Sequence, residues 1–217
     1  MTCGDGRQIE GILPPSCAVF MAPLAVPGSR AAARTAGRTL AANALDELGH
    51  DEPGIEIPTG ERGAPVWPAG FTGSISHTKK RVIVAIGRLT DHASIGIDIE
   101  EQSRNVSMKI LPRIATPRER AWIEHGIDDA LRAPRERLLA VFSSKEAIFK
   151  ALWPLWRREL GFHDAILVRT ADGFEASLNP GIARSMTPVI PRLEIQVTHA
   201  DGAIVSAIHV PRVDQIP

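Results

Sequence analysis

A short internal repeat constrains the fold of this chain more than any other feature of its sequence. The segment SHTKKRVIVAI at residues 76–86 aligns with THADGAIVSAI at residues 198–208. Both begin with a hydroxyl residue and a histidine, pass through a turn, and continue as a β-branched strand that ends in Ala-Ile. Coincidence stays an alternative, since hairpins share such chemistry. Taken as a true repeat, the match predicts two related lobes, each with a strand hairpin and a long helix.

The remaining pattern of helices and strands agrees with such a mixed fold. An Ala-rich stretch at residues 29–49 predicts a helix with a serine N-cap and a glycine stop. A proline-rich loop follows, then two strands around a basic turn at residues 71–89 and a third strand in ASIGIDIE. Later in the chain we predict helices around residues 117–125 and 134–153, and four strands in the tail.

The composition is that of an ordinary globular protein. Hydrophobic residues make up 44% and charged residues 23% of the 217 positions, which suits a packed core. Lys plus Arg and Asp plus Glu balance at 25 each, so no global positive field attracts nucleic acid or an anionic membrane. We therefore expect no nucleic-acid partner and no membrane partner, although a local basic cluster remains compatible with the sequence.

The N-terminal sequence and the cysteines predict a cytoplasmic location. The opening MTCGDGRQIEGILPPSC lacks the basic and apolar regions of a signal peptide. No apolar run approaches the roughly 18 residues needed to span a bilayer. Cys3 and Cys17 match neither a disulfide framework nor a metal-ligand spacing, so we expect both to be thiols in a reducing compartment.

The stretch SIGIDIE places two carboxylates at the end of a predicted buried strand. Asp98 and Glu100 are separated by one residue, so in an extended chain they point to the same face. One interpretation is that one of them faces solvent or pairs with a lysine or arginine. The other is a divalent-metal site, because magnesium prefers carboxylate oxygens and relieves the repulsion between them.

The stretch FSSKEAIFKAL within the predicted long helix carries a third carboxylate. Glu146 and Lys150 are spaced i, i+4 and therefore share one side of the helix. On its own this pair is an ordinary surface ion pair worth a few tenths of a kcal/mol. Combined with Asp98 and Glu100, it makes a centre that could handle a diphosphate, since magnesium takes its remaining ligands from phosphates and water.

A scattered basic set lies upstream of the carboxylates. Arg30 and Arg38 fall about two turns apart on the first predicted helix, and Arg62 and His77 follow it. Each of them singly is typical of a solvated surface residue. Together they would suit a ligand with several phosphates, because arginine presents a fork of donors to phosphate oxygens.

In this order and spacing the motifs resemble a known family. GIDIE followed by FSSKEAIFKA is similar to the paired signature of 4′-phosphopantetheinyl transferases. GERGAPVWPAGFTGSISHT, RAAARTAGR and LWPLWRRELGF resemble the branch that activates surfactin and enterobactin synthetases, particularly its actinobacterial members. The resemblance implies an α+β fold of two similar lobes related by a pseudo-twofold axis, with the active site between them. The chain is then one unit over residues 1–217, with approximate lobes 1–100 and 101–217.

The resemblance also implies a reaction and its participants. The 4′-phosphopantetheine group passes from coenzyme A to a serine hydroxyl of an acyl or peptidyl carrier protein, and adenosine 3′,5′-bisphosphate leaves. Magnesium, or manganese, is the implied metal, and Asp98, Glu100 and Glu146 match its ligands. Glu146 also matches the base for the carrier serine, and Lys150 the lysine that contacts the diphosphate. The implied partners are carrier domains of peptide, polyketide or fatty-acid synthases, and we expect a monomer.

Further residues match the family's coenzyme A site. The implied contacts are Arg30, Arg38, Arg62, Gly63, Ala64, Pro65, Ser76, His77, Lys150 and Leu160. The RGAP element departs from the family, since relatives commonly carry a lysine in or just before it, and here Ala64 fills the variable position and Arg62 is the only nearby cation. His199 is the repeat partner of His77 but is not expected to bind ligand.

Two alternative functions stay open. A magnesium-dependent nuclease also combines carboxylates with a lysine, although it usually places its second carboxylate and lysine two apart on a strand. Glu146 and Lys150 are instead four apart on a predicted helix. The second alternative is a coenzyme A-binding protein without turnover, which the presence of all three carboxylates and the lysine argues against.

Overall fold

The computed structural model describes residues 6–185, 190 and 192–212. Within these residues the strands are β1 (Arg7–Gln8), β2 (Cys17–Pro23), β3 (Phe71–His77), β4 (Arg81–Arg88), β5 (His92–Glu101), β6 (Ala165–Arg169), β7 (Gly173–Leu178), β8 (Leu193–Ala200) and β9 (Ala203–Pro211). The α-helices are α1 (Arg30–Glu47), α2 (Leu111–Ile114), α3 (Pro117–His125), α4 (Pro134–Trp156) and α5 (Pro180–Ala183). Short 3-10 helices lie at Glu61–Gly63 and Met108–Ile110.

The first sheet has the antiparallel order β1-β2-β4-β3 and carries α1 on one face. The helix begins as predicted, because the Ser29 hydroxyl accepts a hydrogen bond from Ala32 N over 3.2 Å. It approaches the sheet closely at Gly37, where an added Cβ would lie 3.0 Å from Ile75 Cγ2. Alanine and leucine side chains of α1 therefore pack directly on the apolar side chains of β4.

The second sheet has the order β5-β9-β8-β7-β6 and carries α4. Here too a glycine allows close contact, since a Cβ on Gly96 would lie 1.9 Å from the carbonyl oxygen of Ala147. The Ser94 hydroxyl donates to Ala151 O over 2.5 Å and fixes β5 against the same helix. The helix predicted at residues 134–153 extends to Trp156 and contains Pro154 near its end.

The two lobes share a three-strand core topology, β2-β4-β3 in one and β5-β9-β8 in the other, as the repeat predicted. In the β3–β4 hairpin Ser76 lies opposite Ile83, and in the β8–β9 hairpin the aligned Thr198 lies opposite Val205. The second strand of each hairpin then pairs with an earlier antiparallel strand, β2 in one lobe and β5 in the other. The expectation of an α+β fold with two similar lobes is therefore confirmed.

All but the last residue of β5 falls within residues 1–100, yet the strand is hydrogen-bonded to the second sheet. By sequence β5 belongs to the predicted lobe 1–100, whereas its hydrogen bonds place it in the sheet formed by later strands. The division into lobes 1–100 and 101–217 stays a prediction. Cys17 is a free, half-buried thiol, as expected, whereas Cys3 lies outside the described residues. In the described part of the chain, no helix combines the length and the apolarity that crossing a bilayer requires.

Besides the apolar core under each helix, a further core lies between the two sheets. It determines which way the side chains of β5 point. Ile97 and Ile99 of β5 are buried with Ile83 of β4 between the sheets. Because neighbouring residues of a strand point to opposite faces, Asp98 and Glu100 point away from this core. The same alternation that buries the isoleucines therefore turns both carboxylates toward α4.

Candidate active site

Asp98 is the centre of the candidate site and is only 5% exposed. Its Oδ1 accepts hydrogen bonds from Ser76 Oγ and from Lys150 Nζ, each over 2.7 Å. Lys150 Nζ also donates to Ile97 O over 3.1 Å. Strands β3 and β5 and helix α4 thus meet at one carboxylate, and Asp98 Oδ2 is buried without a hydrogen-bond partner.

Glu100 is held by a residue that the sequence analysis did not single out. Arg104 Nη1 donates to Glu100 Oε1 in an ion pair, from the turn that follows β5. Burial raises the pKa of the Glu100 carboxyl, the hydrogen bond from Arg104 opposes that rise, and the nearby charge of Asp98 adds to it. The spacing of four residues after Glu100 was visible in the sequence, but only the folded turn shows that the two side chains meet.

Glu146 is half-buried on α4, one helical turn before Lys150. Burial raises the pKa of its carboxyl, the negative charge of Asp98 raises it further, and Lys150 opposes both. Within the described part of the chain, its carboxylate enters no described hydrogen bond or ion pair. A carboxylate with a raised proton affinity and free oxygens has the properties of a general base.

The three predicted metal ligands are not assembled as a cluster. Over the described residues, no group of three or more His, Cys, Asp or Glu side chains is arranged to hold a metal ion. Lys150 holds Asp98 and Arg104 holds Glu100, so cations already neutralise both strand carboxylates. The donor atoms nevertheless suit magnesium, because Asp98 Oδ2 is buried without a partner and Glu146 is uncommitted. The metal assignment stays a prediction.

Arg38 lies beside the loop that contains the RGAP element. Its Nη2 donates to Thr59 Oγ1 over 3.3 Å, and Thr59 in turn pairs with Pro65 across a β-bridge. Arg38 Nη1 is buried without a hydrogen-bond partner, and burial, helped by the charge of Arg34, lowers the pKa of its guanidinium. A buried N–H without an acceptor is costly, so the position favours an incoming anion.

The loop around Ala64 is internally braced. Gly60 N donates to Ala64 O over 2.8 Å, and Gly63 has a positive φ of 82°, which favours glycine. The backbone of Arg62 belongs to the 3-10 turn, but its side chain lies outside the described part of the structure.

The remaining predicted coenzyme A residues are spread around this site. Arg30 and His77 are exposed, at the start of α1 and the end of β3. A hydrogen bond of 2.7 Å from Gly28 N to Lys79 O brings these two ends together. Leu160 lies in the segment after α4 and is half-buried against the apolar core between α4 and the second sheet. No described contact joins Leu160 to Asp98, so its assignment, like those of the other coenzyme A residues, stays a prediction.

Lys145 is a second residue that the sequence analysis missed. It is fully buried, and its Nζ donates to Ile114 O, Glu119 Oε2 and Phe162 O over 2.9, 2.8 and 2.7 Å. Burial lowers the pKa of this lysine, and Glu119 opposes the effect. Because Lys145 directly precedes Glu146, its three bonds fix the turn of α4 that presents the candidate base. The sequence signal for a buried role of Lys145 was its charge within a run of small and apolar residues.

Comparisons with known proteins agree with these motifs. A family profile described as the 4′-phosphopantetheinyl transferase N-terminal domain matches residues 22–87, and one described as the 4′-phosphopantetheinyl transferase superfamily matches residues 94–188. The chain is 42% identical over 137 residues to the 4′-phosphopantetheinyl transferase Npt of Nocardia iowensis, a match covering 63% of this chain and 58% of Npt.

Two further relatives extend this comparison. The transferase PptT of Mycobacterium tuberculosis is 36% identical over 129 residues, or 59% of this chain and 54% of PptT. The chain therefore spans little more than half the length of Npt and PptT. Enterobactin synthase component D of Salmonella typhimurium is 34% identical over 184 residues, or 82% of this chain and 73% of that protein.

Solved structures match as well, among them the holo-[acyl-carrier-protein] synthase of Neisseria meningitidis, with a TM-score of 0.45 and 21% identity over 54% of this chain and 97% of that chain.

Proposed function

We propose that this chain, which belongs to the 4′-phosphopantetheinyl transferase superfamily, transfers 4′-phosphopantetheine from coenzyme A to a serine of an apo carrier protein. The products are the holo carrier and adenosine 3′,5′-bisphosphate. The observation that carries the proposal is the contact of Ser76, Asp98 and Lys150 beside the uncommitted carboxylate of Glu146. It joins the two lobes at a place where a base, a cation and an oxygen ligand lie together.

In this proposal Glu146 acts as the base. It accepts the proton of the carrier serine, directly or through a water, while the serine oxygen bonds to the phosphorus that bears pantetheine. The P–O bond to the adenosine side breaks and the bisphosphate leaves. The raised pKa of Glu146 makes it a stronger base than an exposed glutamate. Lys150 is placed to turn from Asp98 to the charge that grows on the leaving phosphate.

Magnesium or manganese, when bound, would supply positive charge that neutralises the diphosphate. Asp98, Glu100 and Glu146 would hold it. The buried and unpartnered Asp98 Oδ2 supports this role, because that oxygen gains a partner only when a cation or a donor arrives.

The basic set would hold the nucleotide end of coenzyme A. Arg38, whose Nη1 is buried and without a partner, supports an assignment to a phosphate. The other proposed contacts are Arg30, Arg62, Gly63, Ala64, Pro65, Ser76, His77 and Leu160. Carrier domains are the proposed protein partners, and one chain supplies both lobes, so we propose that it works as a monomer in the cytoplasm.

The test is mass spectrometry of a panel of apo carrier proteins after incubation with coenzyme A and magnesium. The expected result is a gain of one phosphopantetheine on at least one carrier, which depends on Glu146 and Asp98. A chain that cleaves DNA with magnesium but modifies no carrier would be a nuclease instead. Coenzyme A binding without any transfer would identify a binding protein without turnover.

A further inference from the structure

Arg104 occupies a position beside the candidate site that the proposed reaction does not use. Its guanidinium forms the ion pair with Glu100 and lies over the ring of Phe142, with 5.3 Å from its central carbon to the ring centre. The turn after β5, closed by a hydrogen bond of 2.9 Å from Arg104 N to Glu101 O, returns the residue toward the strand. Two contacts and a turn therefore place this cation beside the carboxylates.

The helix opposite Arg104 presents one continuous face to the site. Phe142, Glu146 and Lys150 are spaced four residues apart on α4, so they follow one another along one side of the helix. Arg104 lies over the first of them, and Lys150 is the third. Phe142, which Arg104 contacts, and Lys150 thus lie one helical turn to either side of Glu146, and each of the two cations neutralises one carboxylate of β5.

The two cations differ in how firmly they are held. Lys150 is anchored by the carbonyl of Ile97 as well as by Asp98, and its side chain is 29% exposed. Arg104 has one carboxylate partner among the described contacts, stands on a turn, and its side chain is 45% exposed. Arg104 can therefore leave its carboxylate without disturbing the packing of a helix.

We propose that Arg104 is the counter-ion that a divalent cation displaces from Glu100, and that it thereby sets the metal affinity of the site. The inference rests on the proposed function, in which Glu100 is a metal ligand. A divalent cation must break the ion pair to use the paired oxygen, and it approaches against the positive charge of the guanidinium. Arg104 therefore neutralises Glu100 without metal and keeps metal binding weak until coenzyme A phosphates add ligands.

Binding of Mn²⁺ alone to the full chain tests this, measured by the loss of the free-ion signal in electron paramagnetic resonance. For Arg104→Gln we expect Mn²⁺ to bind about ten-fold tighter than for the wild type, the size suited to removing a partly exposed ion pair and a nearby like charge. The metal-free variant should melt at a lower temperature, because Glu100 loses its partner. Mn²⁺ should then raise its melting temperature more than that of the wild type.

Two variants serve as controls. Arg104→Lys keeps the charge but loses the planar fork, so its Mn²⁺ affinity should lie between those of the wild type and Arg104→Gln. Arg192→Gln removes an exposed arginine that pairs with Glu175 on β7, and should leave Mn²⁺ binding unchanged. A merely structural role for Arg104 would lower the melting temperature of Arg104→Gln without tightening Mn²⁺ binding.

The proposal is overturned if Arg104→Gln binds Mn²⁺ no more tightly than the wild type, or if neither protein binds Mn²⁺ at millimolar concentration. The carrier-modification assay reads out the proposed function separately. Tighter Mn²⁺ binding in a chain that modifies no carrier would refute the transferase and keep the role of Arg104. Normal carrier modification without any change in Mn²⁺ affinity would refute this role alone.

Discussion

The two lobes share a core topology but differ in the polarity of the strand face that packs against the helix. The matched hairpin registers make Phe20 and Ala22 of β2 equivalent to Asp98 and Glu100 of β5. In the first lobe this strand face is apolar and packs on α1, all of whose buried residues are apolar or glycine. In the second lobe it carries two carboxylates, and α4 buries an arginine, a lysine and two serines as well. The two lobes therefore share a backbone arrangement, and the candidate site lies in the lobe whose strand presents carboxylates to the helix.

The largest expected effect of this difference between the lobes comes from removing the charges that distinguish the second lobe. We expect Glu146→Gln and Asp98→Ala each to slow carrier modification by about 10²–10⁴-fold, the range for loss of a general base or of transition-state electrostatics. Glu146→Gln should stay folded, because it removes a charge that Asp98 repels. Asp98→Ala leaves Lys150 and Ser76 without their shared acceptor, so it should stay folded but melt at a lower temperature. Rates come from mass spectrometry of the carrier and folding from thermal melts. Glu124→Gln, an exposed change on α3, is the control, and near-normal rates in either site variant would contradict the assignment.

The buried lysine of α4 gives a second test, in which stability is measured. Lys145→Met should lower the free energy of unfolding by about 3–5 kcal/mol, because it leaves Glu119 as an unpaired buried charge. Denaturant unfolding measures the loss. Adding Glu119→Gln removes the stranded charge and should restore part of the stability. A loss below about 1 kcal/mol for Lys145→Met would show that the ion pair does not hold α4 in place.

The repeat itself offers a matched pair of histidines. His77→Ala should raise the KM for coenzyme A about ten-fold, as expected for one hydrogen bond to a charged phosphate. His199→Ala, at the equivalent exposed position of the second hairpin, should leave KM unchanged. Equal effects of the two substitutions would mean that the lobes do not differ at this position.

The smallest expected effect is a dependence of stability on pH. Burial, and then the charge of Asp98, raise the pKa of Glu146 above the 4.5 of a free glutamate. A raised pKa favours the neutral carboxyl in the folded state, so stability is lost as the pH rises through that pKa. Glu146→Gln cannot ionise and should therefore unfold at higher denaturant than the wild type near neutral pH. The difference should disappear below about pH 4, where both states of the wild type are protonated. A difference that persists there would have another cause.

Much of this arrangement could be predicted because it depends on short-range periodicity. The alternation along β5 places Asp98 and Glu100 together, and the spacing of four places Glu146 beside Lys150. The repeat predicted the common hairpin register.

What could not be predicted depends on residues distant in the chain. The hydrogen bond from Ser76 to Asp98 joins the two sheets, and Lys145 donates to the carbonyl of Phe162 and to the carboxylate of Glu119. Such contacts depend on how helices and sheets pack against one another, and no local sequence pattern predicts them. The ion pair of Arg104 was missed for a related reason, since a turn rather than a helix brings it to Glu100.

The placement of β5 in the second sheet also has a consequence for the order in which the molecule folds. Its hydrogen-bonded neighbour β9 follows it by roughly a hundred residues, a sequence separation that slows two-state folding. During synthesis β1 to β4 and α1 can pack first, while β5 leaves the ribosome without its sheet partner. Asp98 and Glu100 therefore face α4 on a complete sheet only after β9 has docked, so a nascent chain should acquire the candidate site late.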